Sequence, residues 1–539
     1  MKNTENIQKQ KTFKSSQPSP KEVKHKKISF FSAILLVIGS SIGAGIFLKN
    51  GEILNNNNGS IILSLISWII SIVGVVAMGL SLAELSSAST NSNQGIIGWV
   101  KTFNSKFLYK SSKNFMAFFY LPINCFIMPY YVVMTIQDAF GWQTEWYYAA
   151  LISFVIFLWF QIVSGLSSRA GNIQNWVITS VKFLPLIFAI LVGFILLSLN
   201  LTGSPTGDVP TPWPTWDKDN KLLTQILPGL GMIGSIPAIV FSFDGFYTSA
   251  GMQSEMEKPE KTSIAMLIGL IIVSVIDVLI SLSLLFGSSN GKINGLTWFN
   301  DNAHWVITVV EILIAFGILG IVNAFAMYNP RFYEELIHDN ELPFSKKYQN
   351  KLNPHKPMVG VIYSGIIAAT VFIIFTIIGS YGYLDANGYG TTEMYNIAGA
   401  QLANNGYGIN NHNEINKLYS FVDLVGNWTS IITFIYIIIA MIGCIKNRKT
   451  NKIAVKKDKL FVPCAYVSIV IIGLGVLFVI ISAFANIGLV ANWKITENYT
   501  EDDHFKDMIG AIMTLVMLFV FVGGCTIPAY FENKQKKLK

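Results

Sequence analysis

Apolar runs of about 20 residues, the length that crosses roughly 30 Å of hydrocarbon, recur along the chain at 30–48, 60–82, 115–137, 147–165, 175–199, 226–251, 262–287, 304–328, 358–380, 418–444, 460–485 and 508–530. They predict twelve membrane-spanning helices. Two of the runs are interrupted. Gly39-Ser40-Ser41-Ile42-Gly43-Ala44-Gly45-Ile46-Phe47 places three glycines and two serines inside the first, and Phe241-Ser242-Phe243-Asp244-Gly245-Phe246-Tyr247-Thr248-Ser249 does the same to the sixth. Glycine lets a backbone leave helical dihedrals, and inside a bilayer the freed N–H and C=O groups are tolerated only against protein or a polar cavity. Both segments therefore read as broken helices facing a binding site.

The breaks are about 200 residues apart, and each opens a set of five spans. That pattern points to a transporter built from two inverted repeats, with substrate held at mid-membrane between exposed helix ends. The expected layout is a first repeat over 29–200, an irregular loop over 201–225, a second repeat over 226–445 and two additional helices over 446–532. Free N–H groups at a half-helix start favour a carboxylate, and free C=O groups at a half-helix end favour an ammonium. A zwitterionic amino acid satisfies both.

Composition agrees that lipid is the solvent: the 539 residues are 52% hydrophobic and 13% charged, with a mean hydropathy of +0.48. An even number of spans puts both termini on one side. Placing that side in the cytoplasm assigns 31 of the 39 Lys and Arg to cytoplasmic segments, including the tails 1–28 and 533–539, whereas Lys49, Lys218, Lys221, Lys292, Lys417, Lys494 and Lys506 fall in outer loops. The net charge of +8 is then a topology signal with some attraction to anionic lipid heads, and implies no nucleic acid. Residues 1–28 read as a polar, disordered tail. The four cysteines have no metal-like spacing, and no nucleophile and base, phosphate loop or metal cluster stands out. No enzyme activity, metal or cofactor is expected.

In three places the chain resembles the amino acid–polyamine–organocation permeases. The segment 39–47 is similar to the substrate-binding break of that family's first helix. The stretch from Phe241 through Glu255 to Lys258-Pro259-Glu260-Lys261 is similar to its sixth. Asn329-Pro330-Arg331 with Asp339-Asn340-Glu341-Leu342-Pro343 resembles the signature after the eighth, and Ala83-Glu84-Leu85 closes the second span as in the family. The chain departs from the pattern at Asn93-Gln94-Gly95, and carries Tyr247 where some exchangers have a glutamate.

The resemblance implies an amino acid permease of the plasma membrane working by alternating access, with Ser41, Ile42, Gly43, Ala44, Gly45 and Ile46 and the facing Phe241, Ser242, Phe243, Asp244, Gly245 and Phe246 around the substrate. Amino acid/amine exchange and a permease-like sensor without flux are the alternatives. Lys182 is the sharpest single residue, because an ammonium at mid-span costs at least about 2.5–3.5 kcal/mol. In the family, a lysine at this place looks like a replacement for a bound sodium ion, and sodium-coupled relatives use a Ser/Thr pair on the eighth helix where this chain has only Thr308. Lys182 is then either a proton-coupling group or a fixed cation bonded to carbonyls of the first helix. Asp244 reads as a substrate-amine ligand or a cap on exposed backbone, and Phe241 as a lid or ordinary packing. Asp277 and Glu311 read as relay groups, counter-ions for Lys182 or locally satisfied carboxyls. Glu84 and Arg331 read as ties between cytoplasmic loops.

Overall fold

The computed structural model describes residues 29–41, 45–88, 95–141, 144–201, 210–214, 223, 229–247, 257–258, 261–353, 356–383, 413–494 and 501–535. Within these the chain is helical, with one isolated bridge between Ser60 and Thr211. The first span is divided into α1 (Phe30–Ser41) and α2 (Gly45–Asn56). There follow α3 (Ile61–Ser87), a short α4 (Gly95–Phe103), α5 (Lys106–Phe140), α6 (Trp146–Leu166) and α7 (Ser168–Ser198). The second half opens with a short apolar α8 (Leu230–Ser242) and continues through α9 (Thr262–Gly287), α10 (His304–His338), α11 (Met358–Gly382) and α12 (Asn413–Thr450). Two further helices, α13 (Phe461–Ala491) and α14 (Glu501–Gln535), complete the bundle.

Among the described residues ten helices are long and apolar enough to cross a membrane, and two shorter apolar ones, α1 and α8, belong to the interrupted spans. Apart from run ends and the turns at Ser235 and Phe243–Gly245, the described residues of the twelve runs are helical, and several helices extend past the expected bounds; the first span in particular continues past Leu48 to Asn56. The helix persists through that polar stretch because Ile46, Phe47, Ile53 and Leu54 keep helical spacing and are buried.

Helix starts are set by local chemistry. Ser60 caps α3 by accepting from the Leu63 N–H at 3.2 Å, and Ser167 caps α7 through the Ala170 N–H at 3.3 Å. α5 contains a π turn at Met116–Tyr120 just before Pro122, and the Ala117 carbonyl is taken up by the Tyr333 hydroxyl of α10. Leu151, Val155, Trp159 and Ile162 on α6 and Val470, Leu474 and Leu477 on α13 are exposed, as residues facing lipid chains would be.

With no hydrophobic gain between helices in lipid, close backbone approach and polar contacts hold the bundle. The tightest crossing joins α7 and α9, where a Cβ on Gly193 would lie 1.5 Å from the Ser283 carbonyl oxygen and one on Gly287 would lie 2.7 Å from the Gly193 Cα. Only glycine fits there. The Gly193 N–H also donates to the Ser283 hydroxyl at 2.8 Å. α10 runs through the bundle against α5, α6, α7 and α11. The end of the bundle carrying the start of α1 and the end of α14 is called the terminal face below, and the other the far face.

Candidate functional site

The two interruptions meet. A Cβ on Gly45, the first residue of α2, would lie 2.6 Å from the Cα of Ser242, the last residue of α8. Phe243, Asp244 and Gly245 then form a turn, in which Gly245 has a φ of +104°. The carbonyl end of α1, the amide end of α2 and the carbonyl end of α8 converge here. Ser41, on the last turn of α1, is buried, and its hydroxyl has no hydrogen-bond partner among the described residues. Gly45, Ile46, Phe241 and Ser242 lie on the two helices that meet at this contact, whereas Ile42, Gly43 and Ala44 lie outside the described residues.

On the far-face side of this contact stands a charge cluster that hydropathy does not reveal. Lys49 is one turn past Gly45 on α2 and completely buried, not in an outer loop. Its Nζ donates to Glu52 Oε2 at 3.0 Å and Asp423 Oδ1 of α12 at 3.2 Å, and sits 5.2 Å from the centre of the Phe241 ring. Tyr131 of α5 donates to the same Asp423 oxygen and meets Phe241 edge-on at 6.5 Å. Asn427 donates to Glu52 Oε1 at 3.2 Å. Lys292, also assigned by hydropathy to an outer loop, is buried within electrostatic reach of Asp423, Asp138 and Glu311. Glu311 therefore belongs with this cluster. Phe241 lies beneath a network that ties α2 to α5 and α12. The missed signal was the i, i+3 spacing of Lys49 and Glu52 on a continuing helix.

Asp244 is engaged by tyrosines. Tyr247 donates to its Oδ1 at 2.8 Å, the Tyr120 hydroxyl approaches Oδ2 at 3.3 Å, and the two hydroxyls are bonded to each other. Tyr247, standing where exchangers carry a glutamate, thus binds the break's own carboxylate. Of the three phenylalanines, Phe243 packs edge-on against Trp68 of α3 and Phe246 against Phe434 of α12. Both are fully buried.

Lys182, half-buried on α7, donates from Nζ to the Gly39 carbonyl of α1 at 2.9 Å, beside the Phe183 ring. Across from it is Gly317 of α10, whose Cβ position would lie 3.7 Å from Lys182 Cβ. Thr308 is over two turns away toward the far face and donates to the Ala139 carbonyl at 2.8 Å. Lys182 thus binds a carbonyl of the first helix, as the fixed-cation reading expects and as a coupling group at that place would also do.

At the terminal face, Glu84 of α3 accepts from Arg448 of α12 and from the Asp458 N–H at 2.8 Å. Lys113 of α5 donates to the Glu341 carbonyl at 3.0 Å and to Glu532 Oε2 of α14 at 3.2 Å. Glu84 is a tie between helix and loop, as its sequence position suggests. Arg331 bonds within its own helix, to the Met327 carbonyl.

A multi-pass bundle with two interrupted helices meeting at its centre defines a membrane transporter. The chain belongs to the amino acid permease family, whose model matches residues 28–518. It is 36% identical to an uncharacterized protein of Mycoplasma pneumoniae, over 95% of each chain. It is 22% identical to the serine/threonine exchanger SteT of Bacillus subtilis, over 65% of this chain and 77% of that one. Among solved structures, a manganese transporter of Eremococcus coleocola aligns with 96% of this chain and 97% of its own at 11% identity, with a TM-score of 0.48.

Proposed function

We propose that this protein is a secondary active transporter that moves a neutral amino acid across the plasma membrane by alternating access, with both termini in the cytoplasm. The observation that carries the reading is the contact of Gly45 with Ser242, which gathers oppositely polarised helix ends at one point. The amide end of α2 suits a carboxylate, and the carbonyl ends of α1 and α8 suit an ammonium. The halves 29–200 and 226–445 act as inverted repeats, with Phe241 as the gate toward the far face. Asp244 is already engaged by Tyr120 and Tyr247, so the carboxylate of an acidic side chain would stand beside a like charge with no cation to pair it.

The coupling ion is a proton, and sodium is not required. Lys182 holds the Gly39 carbonyl where family resemblance would put a sodium ion, and a lysine so placed can give up and regain its proton as α1 moves. Exchange is the second reading, favoured by the likeness to a serine/threonine exchanger.

The test is uptake into proteoliposomes with an imposed pH gradient, with and without Na⁺, combined with a thermal-shift screen of amino acids and amines, since a ligand of the native state stabilises it by mass action. Accumulation of a neutral amino acid that needs the gradient and ignores Na⁺ supports symport. Strict dependence on internal amino acid selects exchange, inhibition by glutamate alone reverses the substrate class, and binding without flux marks a sensor.

A further inference from the structure

Asp277 lies in the middle of α9, 1% exposed, and its Oδ2 has no hydrogen-bond partner among the described residues. Two contacts fix its level. Toward the terminal face, a Cβ on Gly269 would meet the Val37 Cβ of α1 at 2.7 Å; toward the far face, the Ser281 hydroxyl donates to Asn50 Oδ1 of α2 at 2.6 Å. α9 and the first span run in the same direction, so Asp277, one turn before Ser281, is level with Gly45 and Ile46 at the start of α2, about one turn beyond Ser41. At 3.6 residues per turn it lies about 80° around the helix from Gly269 and about 40° from Ser281, which touch the first span, and about 20° from Leu270, which packs against Gly79 of α3, so it faces the groove between the first span and α3. Ser41 follows Val37 by one turn and so shares the α9 side of α1. Its hydroxyl is 1% exposed and also unpartnered.

Asp277 Oδ2 and the Ser41 hydroxyl, neither with a partner among the described residues, thus lie on α9 and α1 about one turn apart, on either side of the level of the break. A carboxylate, a hydroxyl and carbonyl ends attract a cation, and a carboxylate buried without one costs several kcal/mol. We propose that Asp277 binds a proton while the first span is packed on α9 and releases it when the two separate, forming a second coupling site distinct from Lys182. This rests on the transport reading above. The occupant is a proton because the neighbouring Asn50 is already used, accepting from Ser281 and donating to the Gly291 carbonyl at 2.8 Å.

The helices packed on α9 are α1, α2, α3 and α7. Their charged groups are Lys182, which reaches Gly39; Lys49 and Glu52, paired at the far-face side; Glu84, bound to Arg448; and Arg169 at the start of α7.

The experiment is infrared spectroscopy of the full-length protein in lipid at neutral pH, together with gradient-driven uptake. The carbonyl band of the protonated Asp277 carboxyl is expected in the wild type, lost in Asp277→Asn and kept in Lys182→Ala. Asparagine mimics the protonated carboxyl, so the variant should keep the wild-type melting temperature and counterflow exchange while accumulation falls to its level without a gradient. A band that survives in Asp277→Asn, or gradient-driven accumulation that survives with it, overturns the proposal. A melting temperature raised by Na⁺ in the wild type and not in Asp277→Asn would make the site a sodium site and overturn it equally. If the wild type transports no amino acid, the transport reading falls, and the infrared result still decides whether Asp277 holds a proton.

Discussion

Two lysines stand on either side of the α1–α2 break and are held in different ways. Lys49 is completely enclosed and bonded to two carboxylates, one three residues away and the other on α12. Lys182 is half-buried and donates to the Gly39 carbonyl at the end of α1. In the first, charge meets charge, and removing the lysine strands two buried anions. In the second, the bond is to a peptide dipole, which still accepts a hydrogen bond from a neutral amine. Lys49 is therefore suited to hold the bundle shut above Phe241, and Lys182 to change protonation as α1 shifts.

The largest expected effect is on Lys49. Lys49→Ala should cost about 3–5 kcal/mol, since breaking a buried pair leaves uncompensated charge, and should show as a steep fall in melting temperature and yield in detergent. Neutralising the whole set, Lys49→Met with Glu52→Gln and Asp423→Asn, should recover most of that loss. An unchanged melting temperature in Lys49→Ala would erase the contrast between the lysines. Next is the break between them. Gly45→Val drives a side chain into Ser242 and should abolish uptake while the protein still inserts; saturable uptake with unaltered affinity would remove the site from this contact.

Lys182→Ala should cost less stability than Lys49→Ala, about 1.5–3 kcal/mol for a hydrogen bond from a charged group, yet lose concentrative uptake. Lys182→Arg separates charge from titration, because guanidinium keeps its proton near neutral pH; gradient-driven accumulation by this variant would reduce Lys182 to a fixed cation like Lys49. The smallest effect is expected at Asp244. Its amide counterpart can still accept from Tyr120 and Tyr247, so Asp244→Asn should change substrate affinity by no more than about 1 kcal/mol, the scale of one neutral hydrogen bond. A hundredfold loss in a binding assay would return Asp244 to direct contact with substrate.

The helical membrane fold and both interrupted spans were legible in the sequence because each leaves a local mark, a run of apolar residues or a cluster of glycine and serine within one. Lys182 was legible for the same reason, as a lone charge in an apolar run. Lys49 was not. Its neighbours Asn50, Gly51, Glu52 and Asn55 to Asn58 read as the polar end of a span, and its partner Asp423 is 374 positions away. Asp244 was visible as a carboxylate in the break, but Tyr120, which shares it with Tyr247, comes from the π turn of α5, and hydropathy carries no trace of that geometry. Asp277 stood out as a charge within a span, whereas its unpartnered Oδ2 and its level beside the start of α2 depend on how α9 is seated.

The glycine crossing of α7 and α9 makes α9 a lever with a fixed fulcrum. With Gly193 and Gly287 in backbone contact near the far face, any tilt between the two helices turns about that end. Gly269, which rests on Val37, is 14 residues from Ser283, or about 21 Å at 1.5 Å per residue, so a tilt of roughly 10° carries it by about 4 Å. Displacement is thus amplified with distance from the pin, largest where α9 abuts α1 and smallest where Lys49 is locked.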